Sequence, residues 1–154
     1  MRISISTVLD APFAKVREEL GKSRLLVHVT APLVKFRPIT PPSFPSEWRD
    51  GRYLVAMLLG GVLPLGRQWI EISHPKPESS SVYRIRDNGS GQLVRTWDHH
   101  ITIHERPDGR TDYLDEVEIK AGLLTPIIAS FAALFYRHRQ RRWRFLARSE
   151  FRYS

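Results

Sequence analysis

The chain contains no cysteine. Disulfides and thiolate metal sites are therefore excluded, and nothing points to an oxidising compartment. Long apolar runs are missing too. The most apolar stretch, YLVAMLLGGVLPLG (53–66), is too short to span a bilayer and is broken by Gly60, Gly61 and Pro64. The opening MRISISTVLDAPF lacks the apolar core of a secretory leader and reads as a strand. A soluble cytoplasmic protein is the expectation. Gly60, Gly61 and Gly66 lack the spacing of a phosphate loop, so no nucleotide or other cofactor is expected. Acidic residues are outnumbered, with 16 Asp and Glu against 24 Lys and Arg, for a net charge of +8 and a pI near 10.3. The excess is local. Residues 137–152 (RHRQRRWRFLARSEFR) hold seven Arg and one Glu, a net +6.

What is present is ordinary globular material: 154 residues, 42% hydrophobic and 26% charged. That is enough for one domain, 1–154, with a real core. RISISTVL (2–9) alternates as a strand does. Asp10 and Pro12 then predict an N-cap and early helical proline for a short helix, PFAKVREEL, closed by Gly21. SRLLVHVT (23–30) has strand-like β-branching but the length and place of a second short helix. VKFRPI (34–39) reads as a strand. The following segment, 38–51, carries four of the eleven prolines and predicts a loop, either a lid or a packed connection, with Phe44 and Trp48. Five strands follow at 52–59, 67–73, 81–87, 92–105 and 110–120, the last two joined by a PDG hairpin at 107–109. Thr125 as cap and Pro126 at the first position predict a long helix whose inner face carries Ile127, Ile128, Phe131, Leu134, Phe135 and His138. Runs of one element type predict an α+β fold of about six to seven curved antiparallel strands. They wrap a long C-terminal helix, with two short helices after the first strand.

Such a sheet twists away from a single helix and leaves a gap, which becomes a pocket. In WDHHITI (97–103), Trp97, Ile101 and Ile103 share one face, together with Arg95 and His99; Asp98 and His100 share the other. In TDYLDEVEIK (111–120), Tyr113, Asp115, Val117 and Ile119 form the apolar face. The hairpin places Asp115 opposite or diagonal to His99. A buried carboxylate beside an imidazole reads as a structural pair, as a ligand-orienting patch, or as a general acid–base pair with Tyr113 nearby. Metal binding is not expected. His99 and His100 point to opposite faces, and His104 lies roughly 13 Å along the strand from His100.

The order of elements resembles the SRPBCC superfamily, the START-like helix-grip proteins that include polyketide cyclases and lipid-transfer domains. The resemblance runs through WDHHITI, TDYLDEVEIKAG and TPIIASFAALFYRHRQRRW, with SEWRDGRY and LPLGRQWIEI fitting too. It covers nearly the whole chain and is strongest to bacterial ligand-binding members without defined chemistry. It implies a hydrophobic ligand, an aromatic small molecule or lipid, between sheet and helix. It carries over no catalytic motif, and the Cys and His pattern of the Rieske oxygenase members is missing. The pocket expected on this basis is lined by Tyr53, Val55, Met57, Tyr83, Ile85, Arg95, Trp97, His99, Ile101, Tyr113, Asp115 and Val117, with Ile128, Phe131 and Phe135 from the helix. The alternative is a metal-free cyclase or dehydratase using His99 and Asp115. Arg137, Arg141, Arg144 and Arg148 form a helical stripe interleaved with Trp143 and Phe145. The stripe reads as a solvated helix end or as a peripheral contact with anionic membrane. Nucleic acid is the weaker reading, for want of any fold signature.

Overall fold

A computed structural model describes residues 1–153. The elements follow in the order β1 (Arg2–Leu9), α1 (Phe13–Leu20), α2 (Ser23–Thr30), β2 (Val34–Thr40), β3 (Gly51–Leu59), β4 (Leu63–Ser73), β5 (Val82–Gly91), β6 (Thr96–Glu105), β7 (Thr111–Lys120), a short 3-10 turn (Gly122–Leu124) and α3 (Thr125–Arg148). The strands form one antiparallel sheet in the order β1-β7-β6-β5-β4-β3-β2. The α+β helix-grip architecture is thus present, with SRLLVHVT helical. Alternation in β7 is nearly complete: Thr111, Tyr113, Asp115, Val117 and Ile119 are buried and the residues between them are not. The turn between β6 and β7 closes through Gly109, whose φ of 84° lies where glycine is favoured.

Three local expectations are corrected. Asp10 does not cap α1: Pro12 holds that position, and the Asp10 carboxylate lies 3.6 Å from Arg110 and from Arg148. Thr125 is not the cap of α3 but its first residue, with Leu124 at the cap; its hydroxyl closes the preceding turn, accepting from the Ala121 N–H and donating to the Gly122 carbonyl. The buried seam of α3 runs through Ala129, Ala132, Phe135, Tyr136, Arg139, Gln140, Trp143 and Leu146, while Ile127 and Leu134 are exposed. The small residues Ala129 and Ala132 let the helix sit close to the sheet, which rotates the larger aliphatics outward.

The helix lies across β1 and β7, at one edge of the sheet. Its C-terminal half joins α1 and α2 in the main core, where Val16, Leu20, Leu25, Val29, Trp143, Leu146 and Phe151 pack on Leu9, Tyr53, Val55 and Tyr113. The proline-rich loop is packed rather than free. The Trp48 N–H donates to the Gly21 carbonyl at 2.8 Å, the Ser23 N–H donates to Ser46, and Trp48 packs edge-on to Phe44 and Tyr53. With the helix committed to one edge, the concave face over β2–β6 is left incompletely covered.

Candidate functional site

That uncovered space is a cavity of about 250 Å³ between the sheet and α3. Its sheet wall is Phe36, Met57, Gln68, Ile70, Ile72, Ile85, Asp87, Trp97, His99 and Ile101; α3 contributes Ile128, Phe131, Phe135, Tyr136 and Arg139. Leu20, Leu25 and Leu26 close one end, with Trp48 beside them. Leu93 and Ile127 line it as well and are 44% and 68% exposed, so the mouth lies between the β5–β6 loop and the start of α3.

Of the residues expected in the pocket, Met57, Ile85, Trp97, His99, Ile101, Ile128, Phe131 and Phe135 lie in the cavity wall. The others do not. Tyr53 and Val55 are sealed beneath α1, α2 and the end of α3. Tyr83 sits outside, with the Arg17 guanidinium 4.7 Å over its ring. Tyr113, Asp115 and Val117 point to the correct face but are only about 1% exposed, because β7 lies under the helix. Arg95 is exposed. Residues 92–95 are not part of β6: the Gly91 N–H donates to the Val94 carbonyl and Gln92 pairs with Arg67, so the chain bends and turns Val94 inward.

Behind the cavity wall lies a buried polar cluster. His99 and Asp115 are diagonal across β6 and β7, and the His99 Nε2 to Asp115 Oδ1 distance is 2.7 Å. Tyr113 donates its hydroxyl to the same oxygen at 3.2 Å, and Gln140 Nε2 donates to the other at 2.9 Å. Gln140 also donates to the Ile5 carbonyl, so one carboxylate ties β1, β6, β7 and α3 together. Burial pushes the Asp115 carboxyl up, but His99, Arg139 and Gln140 more than offset it and hold the group below its ordinary range. Burial lowers the His99 imidazole, against the pull of Asp115. The ring is therefore neutral at pH 7 and donates its Nε2–H to an ionised Asp115. Trp97 Nε1 donates to the Tyr136 hydroxyl at 3.0 Å, and the Tyr136 ring lies 4.7 Å from His99.

Three charged groups of the wall, Lys22, Asp87 and Arg139, were not singled out from the sequence. Asp87 follows Tyr83 and Ile85 at strand parity, so the inward face was readable. Its carboxyl is pushed up to about 7, chiefly by burial, against a hydrogen bond from the Glu71 N–H and the Arg139 charge. Arg139 follows Phe135 by four residues and shares its helix face, but the surrounding arginines read as a solvated run. It is buried, 5% exposed.

The rest of the basic stretch is partly committed to the fold. Arg144 donates to Thr7, Arg142 donates to the His28 carbonyl, and Arg148 faces Asp10. Arg137 and Arg141 are exposed on the outer side of α3, with Arg141 5.9 Å from the exposed Phe145 ring. Among the described residues no three His, Cys, Asp or Glu side chains cluster as a metal site, and no helix is long and apolar enough to cross a membrane.

The family model described as "Domain of unknown function (DUF8410)" matches residues 24–148, most of the chain and nearly all of the cavity. The chain belongs to this family. Among curated proteins none matches significantly. Several solved structures share the fold. CV1439 from Chromobacterium violaceum is 16% identical with a TM-score of 0.66, over 95% of this chain and 96% of that one. A START superfamily protein from Mycobacterium smegmatis is 11% identical with a TM-score of 0.65, over 96% and 97%. The Zhui aromatase/cyclase from Streptomyces sp. R1128 is 11% identical with a TM-score of 0.64, over 99% and 96%. At such identities the likeness is one of fold alone: this DUF8410 chain shares the helix-grip fold of these structures.

Proposed function

We propose that this DUF8410 protein, acting as one domain over 1–154, binds a hydrophobic or aromatic small molecule or lipid in the cavity beneath α3. The observation that carries the reading is the cavity itself, about 250 Å³, walled by aliphatic and aromatic side chains and open at Leu93 and Ile127. Apolar walls supply the driving force and a few inward polar groups fix orientation. The SRPBCC/START-like fold supports the same reading. Titration with the neutral fluorophore N-phenyl-1-naphthylamine tests it. Blue-shifted, saturable fluorescence is expected, weakened about tenfold or more by Ile101→Phe, which fills the cavity from β6. No saturable signal, or a signal that Ile101→Phe leaves unchanged, sinks the proposal.

A second reading rests on His99. Its ring stands in the cavity wall with Asp115 behind it, leaving Nδ1 as the basic nitrogen in the tautomer assigned above. That is the arrangement of a metal-free general base, as a cyclase or dehydratase would use. Mass analysis of compounds extracted from the purified protein supplies candidate substrates. If this reading holds, His99→Gln abolishes turnover of such a compound while N-phenyl-1-naphthylamine affinity stays within about threefold. Unchanged turnover in that variant rejects it.

A further inference from the structure

Two cations line the cavity, Lys22 and Arg139. Lys22 is accounted for: its ammonium lies 3.2 Å from both Glu18 and Glu19. Arg139 is not. It is 5% exposed, its Nε meets no acceptor, and it enters no ion pair among the described residues. Its near neighbours are aromatic faces, with the Tyr136 and Phe135 ring centres 5.1 and 5.9 Å from the guanidinium carbon. Two carboxylates feel its charge, and neither closes on it. The Asp115 oxygens are taken by His99, Tyr113 and Gln140, and Asp87 Oδ1 accepts the Glu71 N–H. A buried guanidinium without a paired anion is costly to keep, and the cavity it lines is the space from which a partner can come.

We propose that Arg139 anchors the carboxylate of an acidic amphiphile whose apolar part fills the cavity. The inference rests on the binding reading and names its ligand class. A planar guanidinium matches a carboxylate with two parallel hydrogen bonds. A phosphate dianion fits less well, because one cation does not balance it and the ionised Asp115 stands close by. Asp87, held largely protonated below pH 7, supplies an O–H that can donate to the same carboxylate. Ile70, Ile85, Ile101 and Phe131 then receive the hydrocarbon.

The test is competition of decanoate and decanol against N-phenyl-1-naphthylamine, in wild type, Arg139→Met and Arg139→Lys. Acid and alcohol bury nearly the same chain, so their affinity ratio reports the head-group site. Wild type is expected to prefer decanoate by about tenfold or more, with the preference surviving about 0.5 M NaCl because the site is buried. Arg139→Met is expected to equalise the two ligands, and Arg139→Lys to keep part of the preference. If the methionine variant fails to fold, the wild-type ratio and its reduction in the lysine variant decide. Equal binding of acid and alcohol by wild type, with the fluorophore still bound, overturns the acidic ligand but not the cavity. A preference that Arg139→Met leaves intact overturns Arg139 as its anchor. Failure of the fluorophore and both competitors to bind overturns this inference together with the proposed function.

Discussion

Asp115→Ala is expected to cost about 3–5 kcal/mol of folding stability, because it removes the acceptor from a cluster that stays buried. Asp115 is 1% exposed and accepts from His99, Tyr113 and Gln140. The alanine variant leaves the His99 and Tyr113 donors without that acceptor, each bearing a desolvation penalty, and leaves Gln140 only the Ile5 carbonyl. It also strips the nearby Arg139 charge of its ionised neighbour. Tyr113→Phe gives the contrast: it removes one donor and leaves the carboxylate served by the other two, for a loss of about 1 kcal/mol. Urea unfolding at pH 7 measures both, as midpoint shifts at constant slope. Similar small losses in the two variants would mean that the cluster is not the joint between β1, β6, β7 and α3.

Asp87 is expected to make the protein less stable as pH rises from about 4 to about 7. Its carboxyl is raised in the folded state to about 7 from an ordinary 3.8. Across that interval the folded chain keeps a proton that the unfolded chain has released, so each pH unit favours unfolding; above about 7 both states have lost it and the effect levels off. The integrated loss is about 3 kcal/mol after allowance for the partial exposure of the group. Other groups act in the same range. Depressed carboxylates such as Glu19, held at about 2 with Lys15, Lys22, Arg24 and Tyr153 around it, add stability as pH rises from acid. His28 and His99, both lowered by burial, act in that direction below pH 6.5. Asp87→Asn isolates the single group, since Asn still accepts from the Glu71 N–H. Arg139, Glu71, Asp98 and the strand neighbour His99 keep their places around it. The variant and wild type should match near pH 4 and diverge to about 3 kcal/mol in favour of Asn at pH 8. A constant difference across that range would show that Asp87 titrates normally. Retention of so costly a carboxylate in a cavity wall fits a group kept for the ligand.

The inward faces of β6 and β7 were legible because period-two alternation survives even where the inward residues are His99 and Asp115. The PDG turn was legible because Gly109 must take a positive φ. What alternation does not carry is which inward residues a helix will cover. Tyr113, Asp115 and Val117 face the concave side as expected, yet α3 settles on β1 and β7 and seals them. The cavity shifts to β2–β6 and brings in Gln68, Ile70 and Ile72. The bend after Gly91 broke the parity count one strand early. A Cβ there would lie 2.7 Å from the Arg67 carbonyl oxygen, so only glycine lets β5 pass β4 so closely. Arg139 was hidden by its company, one inward arginine among outward ones.

Whether a ligand enters the cavity between the sheet and α3 is decided by methyl-resolved NMR of the full chain during titration with decanol. Saturable shifts are expected in the methyls of Met57, Ile70, Ile72, Ile85 and Ile101, which line the cavity, with Val16, Val29 and Leu146 of the closed core unmoved. Shifts confined to outer residues such as Val62 and Leu134, or none at saturation, would contradict ligand entry.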